Sequence, residues 1–470
     1  MKKQLESIYR NAVIEALDYL QKYIEEANEK KYWWDIEKYS DYPTMDYFDS
    51  GLPRFSLYGA DKIDYSQILH KDSACENFKS WIDYYNYVCS SEALIEFYGK
   101  QYFDDSLMEI WKKVYTFYQL SHFACRHIYL NENKISFNEN IFTVQYEKWY
   151  KTISEKKLTI DFYIPILLTT FDFEEARISE NIFIQKMDEK LQLSRNQKVS
   201  YIDSSKETVA SAATHALVLT TWVVDNSNCS NREKILNELN SYNQIIDIVE
   251  TFFSIFRVKT GVYSGFSQIV GIAKDWEDNA KADLYQTYVV STRKYPDFFD
   301  NYGWLNKPQT SSLEDVAKIS DYYSKVSGLK QNRTKLALSR LNTAYLRSRE
   351  EDTILDITIA FETVLTHDVQ TEITYRLASR VAALCSVRPF KDFSQFQVFE
   401  FCKKIYSYRS AVVHGDQKKI GKTKMIKTHE NNEIETISIS IELLRHVIGI
   451  LIDYPDFNDP IAIDKLKFKN

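Results

Sequence analysis

Glycine and proline are scarce in this chain: 11 Gly and 8 Pro among 470 residues, about 2% of each, where ordinary proteins carry roughly 7% and 5%. Both residues make tight corners, so a chain this poor in them turns seldom. That argues against a large β-sandwich, a β-propeller or a glycine-rich nucleotide-cradling α/β fold. Long helices with polar connections are the expectation. Long uncharged stretches are missing too, and no window reaches the roughly 18 apolar residues that a membrane span requires. The first twenty residues, MKKQLESIYRNAVIEALDYL, carry Glu6, Arg10, Glu15 and Asp18 where a signal peptide or anchor would be apolar. They read as an amphipathic helix, with Ile8, Val13, Ala16, Leu17 and Leu20 near helical spacing. Cysteine is sparse and scattered (Cys75, Cys89, Cys125, Cys229, Cys385 and Cys402), with no C-x-x-C pair. The expectation is reduced thiols in a cytoplasmic protein.

Bulk comes instead from 34 Tyr and 27 Phe. With 44% apolar and 27% charged residues, the chain is too apolar for disorder. It is long enough for two or three cores. The net charge of −7 makes nucleic acid, on average, a poor partner.

Three regions are expected. Residues 1–152 are helical and aromatic, with helical spacing in Trp81–Tyr98 and Leu107–Tyr129 and an ordered loop over Tyr39–Phe55. Residues 153–306 carry strands: KLTIDFYIPILL, Ile182–Ile184 and THALVLTTWVV are β-branched and aromatic. The helical period returns over Asn243–Val258. Asn306–Ser312 reads as a linker. Residues 313–470 then hold five helical segments, near 330–349, 353–366, 372–386, 394–414 and 437–453. Short loops between helices predict an antiparallel bundle. The fold class is therefore α+β, predominantly helical.

The fourth of these helices ends in IYSYRSAVVHGD, Ile405–Asp416. Cys402, Ile405, Arg409 and Val412 fall on one stripe, apolar except for Arg409. An arginine there is costly unless paired or used. Gly415 marks a helix stop, which places His414 in the last turn. Five residues rotate a helix by about 500°, so Arg409 and His414 lie about 140° apart. They converge only through a distorted last turn, a long reach by Arg409, or a site shared by two chains. From spacing alone, a buried ion pair at Arg409 and a helix-end cap at His414 account for the pair more simply than chemistry does. Between Lys403 and Lys427 eight basic residues face one acidic residue, Asp416, a surplus of +7, so the rest of the chain carries −14. Such a patch suits a phosphate backbone, or simply a solvated loop.

The string Y-x-x-R-S-x-x-V-H-G resembles the R-x(4–6)-H signature of HEPN domains, specifically the Apea-like group. DTILDITIAFETVL and EITYRLASRVAALC resemble that family's second and third helices. The likeness covers about 330–455, extends weakly to about 160, and leaves out residues 1–150. It implies a metal-independent endoribonuclease without cofactors, active as a homodimer or higher even-numbered oligomer that brings two R-x4-H motifs together. His414 would be the general acid or base. Arg409 would hold the scissile phosphate. Ser410 occupies the polar position after the arginine. Products would carry 2′,3′-cyclic phosphate and 5′-hydroxyl ends. Glu362 would orient Arg409, Arg376 or Arg380, or make a plain intrabundle ion pair. Lys404, Lys418, Lys419 and Lys422 would contact RNA, tRNA or other single-stranded loops among them. The likeness further implies anti-phage abortive infection, with the upstream regions sensing a phage-derived trigger. The alternative is a catalytically silent HEPN module for RNA or nucleotide binding or for assembly.

Elsewhere, His122, Cys125 and His127 offer soft ligands, but i, i+3 and i+5 share a face poorly, so an aromatic core is the expectation. Lys259-Thr260-Gly261 lacks a phosphate-loop spacing and reads as a turn. His215 reads as a packed residue in a strand.

Overall fold

In a computed structural model, residues 2–30, 36–56, 59–71, 74, 77–99, 108–196, 204–226, 242–277, 280–329, 332–366, 372–428 and 432–467 are described. The protein is α+β and mainly helical. Cys75 and Cys229 lie outside the described residues; Cys89, Cys125, Cys385 and Cys402 are free thiols. No described helix is long and apolar enough to cross a membrane.

The N-terminal region comprises α1 (Lys2–Lys30), α2 (Tyr65–His70), α3 (Lys79–Ser90), α4 (Glu92–Gly99), α5 (Met108–Leu130) and α6 (Glu139–Ser154). On α1, Leu5, Tyr9, Ala12, Val13, Ala16, Leu17 and Leu20 are all buried, the i, i+3, i+4 pattern of one helical face. Tyr9 anchors an aromatic core, stacked on Trp149 with centroids 4.7 Å apart and edge-on to Tyr84 and Phe123. The expected loop at Tyr39–Phe55 contains a small hairpin, β1 (Met45–Tyr47) and β2 (Pro53–Phe55). Gly51, at φ +80°, supplies the turn.

The middle of the chain builds β3 (Lys157–Pro165), β4 (Thr169–Phe171), β5 (Glu175–Ser179), β6 (Ile182–Lys186), β7 (His215–Asp225), β8 (Phe266–Lys274) and β9 (Thr287–Lys294). Six of these form one antiparallel sheet, ordered β5-β6-β7-β3-β8-β9. Alternation along β3 puts Leu158, Ile160, Phe162 and Ile164 on one face. That face meets α9 (Tyr242–Thr260) and the C-terminal helices. The other face meets α7 (Glu189–Asn196) and α8 (Ser204–Ser211), around Leu168, Leu191, Val209 and Val218.

The C-terminal bundle comprises α10 (Leu313–Ser327), α11 (Asn332–Leu346), α12 (Glu350–Leu365), α13 (Ile373–Leu384), α14 (Gln395–Val413), the short α15 (Gln417–Thr423), α16 (Thr436–Asp453) and α17 (Pro460–Leu466). Five match the expected segments within a few residues. Helix α10 is an addition. The segment read as a linker holds β10 (Gln309–Ser311), which pairs in parallel with β4. One buried core runs from Leu158 on the sheet through Phe252 and Phe256 of α9 to Ile463 of α17. Sheet and bundle therefore share an interior, and this core does not break at residues 306–313. The N-terminal core is separate and is joined at the β8–β9 connection. Arg126 is ion-paired with Glu277 there, and its Nη1 donates to the carbonyls of Ala282 and Leu284 at 2.6 and 2.8 Å.

Two carboxylates clasp the C-terminus. Burial works to raise the Asp453 pKa, but hydrogen bonds from Tyr322, Arg388 and Lys325 outweigh it and hold the group at about 2. Hydrogen bonds from Arg380 and Lys467 likewise outweigh burial and hold Asp464 at about 2. Both sit below the unfolded value of 3.8. Their contribution is thus full above about pH 4 and is lost as pH falls toward 2. Urea midpoints measured from pH 5 to pH 2 are expected to fall across that window. Asp464→Asn is expected to flatten the fall; an unchanged slope in that variant would remove Asp464 from the account.

Candidate nucleic-acid site

Helix α14 starts with a capping box, in which Ser394 accepts from the Gln397 N–H and the Gln397 side chain accepts in return. It ends in a Schellman turn. His414 is the C-cap residue; Gly415 follows at φ +66° and donates to Val412 O, and Asp416 N–H donates to Ala411 O at 3.0 Å. Asp416 then caps α15, accepting the Lys419 N–H at 3.0 Å. These bonds fix the His414 backbone between two helices. The His414 side chain is exposed.

Arg409 lies about 140° round an ideal helix from His414. It is half-buried, and its Nε is shielded from solvent with no hydrogen-bond partner among the described residues. Beside it Tyr406 donates its hydroxyl to Glu362 Oε1 at 3.1 Å. Burial and the Glu362 charge push the Tyr406 phenol far up, and the Arg409 charge opposes them. So Glu362, Tyr406 and Arg409 form one group between α12 and α14. Tyr406 is the member that sequence reasoning passed over, although it opens the Y-x-x-R string one helical turn before Arg409. Ser410 is half-buried, and its carbonyl accepts the His414 N–H at 3.1 Å.

Arg380 does not join this group. Its Nε and Nη2 donate to Asp464 at 3.0 and 2.6 Å, and Nη1 donates to Leu365 O. It ties α13 to α17 and the end of α12. This corrects the expectation of a supporting role at the site. The reason is that Arg380 lies on the buried side of α13 and finds its carboxylate on α17. Arg376 shows no bond to Glu362.

The lysine patch divides. Lys403 pairs with Glu400, Lys424 with Glu350 and Lys427 with Glu433. Glu350 also accepts from Tyr408 at 3.3 Å and so holds the start of α12 to α14. Lys404, Lys418, Lys419 and Lys422 are exposed, with no ion pair among the described residues. Three of the four sit on α15, directly behind His414.

The other sequence motifs resolve into packing. Cys125 contacts the Tyr39 hydroxyl at 3.2 Å, and burial pushes its thiol up to about 12. His127 Nε2 accepts the Asn138 N–H at 3.0 Å, and burial lowers the ring to about 4. His122 lies against Tyr118. His215, buried at the start of β7, bonds the Phe173 carbonyl at 2.6 Å. Lys259 and Thr260 close α9, and Gly261 at φ +70° is its stop.

No family model, curated protein or solved structure matches the chain.

Proposed function

We propose that the C-terminal bundle is a metal-independent endoribonuclease of the Apea-like HEPN type. The whole chain is then a bacterial anti-phage effector, held in check in the cytoplasm by its upstream regions until a phage-derived trigger arrives. The observation that carries this reading is the end of α14. The Arg409 Nε has no hydrogen-bond partner among the described residues, His414 is exposed and fixed by its turn, and the helix that follows it carries three exposed lysines with no ion pair among the described residues.

On an ideal helix Arg409 and His414 lie about 140° apart, and in this reading a second copy completes the site. Val413, next to His414 on α14, is a large apolar side chain left exposed where a second copy would pack. In the paired site His414 takes the proton from the ribose 2′-hydroxyl. The 2′-oxygen attacks phosphorus, the bond to the 5′-oxygen breaks, and the leaving oxygen takes its proton from the protonated His414 of the second copy. Arg409 carries the charge that builds on the phosphoryl oxygens. The lysines hold the flanking backbone. The rival reading, a silent HEPN module, draws on the same separation of faces.

Labelled RNA incubated with the purified chain plus an extract of phage-infected cells as the trigger, beside the same mixture made with the His414→Ala chain, tests this. Cleavage is expected to survive EDTA and to leave 2′,3′-cyclic phosphate and 5′-hydroxyl ends. Loss of cleavage in EDTA would indicate a metal-dependent nuclease. A dimer that binds RNA without cutting it would indicate the silent module.

A further inference from the structure

A cleft of about 340 Å³ opens where α9, α10, the turn after α13 and α16 meet. Sites for small ligands begin at about this size. Four cations line it (Lys259, Arg388, Lys391 and Arg445) against one carboxylate, Glu442. Two of the four are neutralised locally, Arg388 by Asp453 and Lys391 by Glu442. The other two are not. Arg445 spends Nη2 on the Val258 carbonyl at 3.1 Å, and its Nε is buried with no hydrogen-bond partner among the described residues. Lys259 makes no ion pair among the described residues; its Nζ lies 3.0 Å from the centroid of the Tyr322 ring. Burial, helped by Arg388 and Lys325, outweighs Asp453 and brings the Lys259 ammonium down to about 8. An anion placed beside it would relieve that cost.

The backbone is shaped for this arrangement. A Cβ at Gly261 would collide with the Arg445 guanidinium, so the glycine that ends α9 also makes room for the arginine. Half-buried His446 and the buried Phe390 behind it form an aromatic wall, their centroids 5.2 Å apart and their planes tilted by 59°, with His446 oriented by a hydrogen bond to Arg388 O at 2.9 Å. A cleft of about 400 Å³ between α9, α10 and α11 lacks this character, since Asp247 and Glu250 outnumber Lys335 there.

We propose that the cleft binds a nucleotide, its phosphate between Lys259 and Arg445 and its base against the Phe390–His446 wall. Charge-assisted bonds supply the affinity for phosphate, and stacking supplies the preference for a base. The site shares no residue with the end of α14, so it stands whether or not the ribonuclease reading holds.

Isothermal titration of the full-length chain with AMP and ATP tests it. Saturable binding at one site per chain is expected, with adenosine and inorganic phosphate each at least tenfold weaker than AMP. Lys259→Gln is expected to weaken AMP at least tenfold without changing the melting temperature, and Lys259→Arg to restore it. Binding is expected to survive His414→Ala, which separates this cleft from the RNA site. The proposal fails if neither nucleotide gives heat at millimolar concentration. It fails equally if Lys259→Gln binds as the parent does, or if inorganic phosphate alone matches AMP.

Discussion

Replacing His414 with alanine is expected to slow RNA cleavage by about 10²–10⁴-fold, the range general acid–base catalysis supplies, and to leave fold and dimer unchanged. The side chain is exposed at a helix end whose turn is closed by backbone bonds alone. Its removal should therefore cost stability no more than about 0.5 kcal/mol, the usual bound for surface changes. That gap between a large kinetic effect and a negligible thermodynamic one is what makes the variant informative. Arg409→Ala is expected to reduce cleavage comparably, but it also leaves the Tyr406–Glu362 pair without its neighbouring charge. Arg409→Lys separates the two roles. Lysine restores the charge but not the planar two-point grip on phosphate, so cleavage should stay low while stability recovers. Single-turnover rates on labelled RNA, read beside thermal melts, check all three variants. A His414→Ala protein that cuts RNA at the parental rate would remove the histidine, and with it the proposed chemistry.

Most of the helical framework was legible because its signal is local. The stripe Ile354, Ile357, Phe361, Val364 needs only a 3.6-residue period to read as one face of a helix, and α9, α12, α13, α14 and α16 fall where that period placed them. The Schellman stop was legible in Gly415, conspicuous in a chain with so few glycines. Helix α10 was missed although Ser312 and Asp315 form its capping box. Its exposed positions are rich in charge, and the preceding polar run read as a linker. Strands β8 and β9 were missed for a different reason. Along Phe266–Lys274 the buried strand carries Ser267 and Gln268, which break the apolar run. Only the fold reveals that Gln268 is inside because it faces a buried arginine. The site shows the same division. Spacing gave the 140° between Arg409 and His414, but not that Glu362 would answer Tyr406 and Arg380 would answer Asp464. Those partners come from elements 44 and 84 residues away.

That buried arginine, Arg195, carries the other large expected effect. It is fully buried near the end of α7, and its guanidinium makes four hydrogen bonds. Nε donates to Gln192 at 2.7 Å, Nη1 to Ala210 O at 2.8 Å and Gln268 Oε1 at 2.9 Å, and Nη2 to Ser211 O at 2.7 Å. The guanidinium also lies 4.7 Å from the Phe55 ring centroid. No carboxylate is among these partners. Burial lowers its pKa to about 9, so the group stays charged at neutral pH and is solvated by neutral dipoles instead of a counter-ion. One side chain thereby fastens α7, α8, β8 and β2 on the sheet face opposite α9. Arg195→Met keeps the apolar stem and removes every donor. Four acceptors then face an apolar interior, each worth about 1–3 kcal/mol if left unmet. Partial relaxation makes the sum less than additive, and a net loss of about 3–5 kcal/mol is expected. Arg195→Lys keeps the charge but offers three donors from one point, and should recover less than half of the loss. Urea unfolding followed by far-ultraviolet circular dichroism measures both. Because the N-terminal core is separate from the sheet, the loss should appear in the transition that reports the sheet and bundle. A methionine variant as stable as the parent would mean that these acceptors find water or each other, and that the arginine fastens nothing.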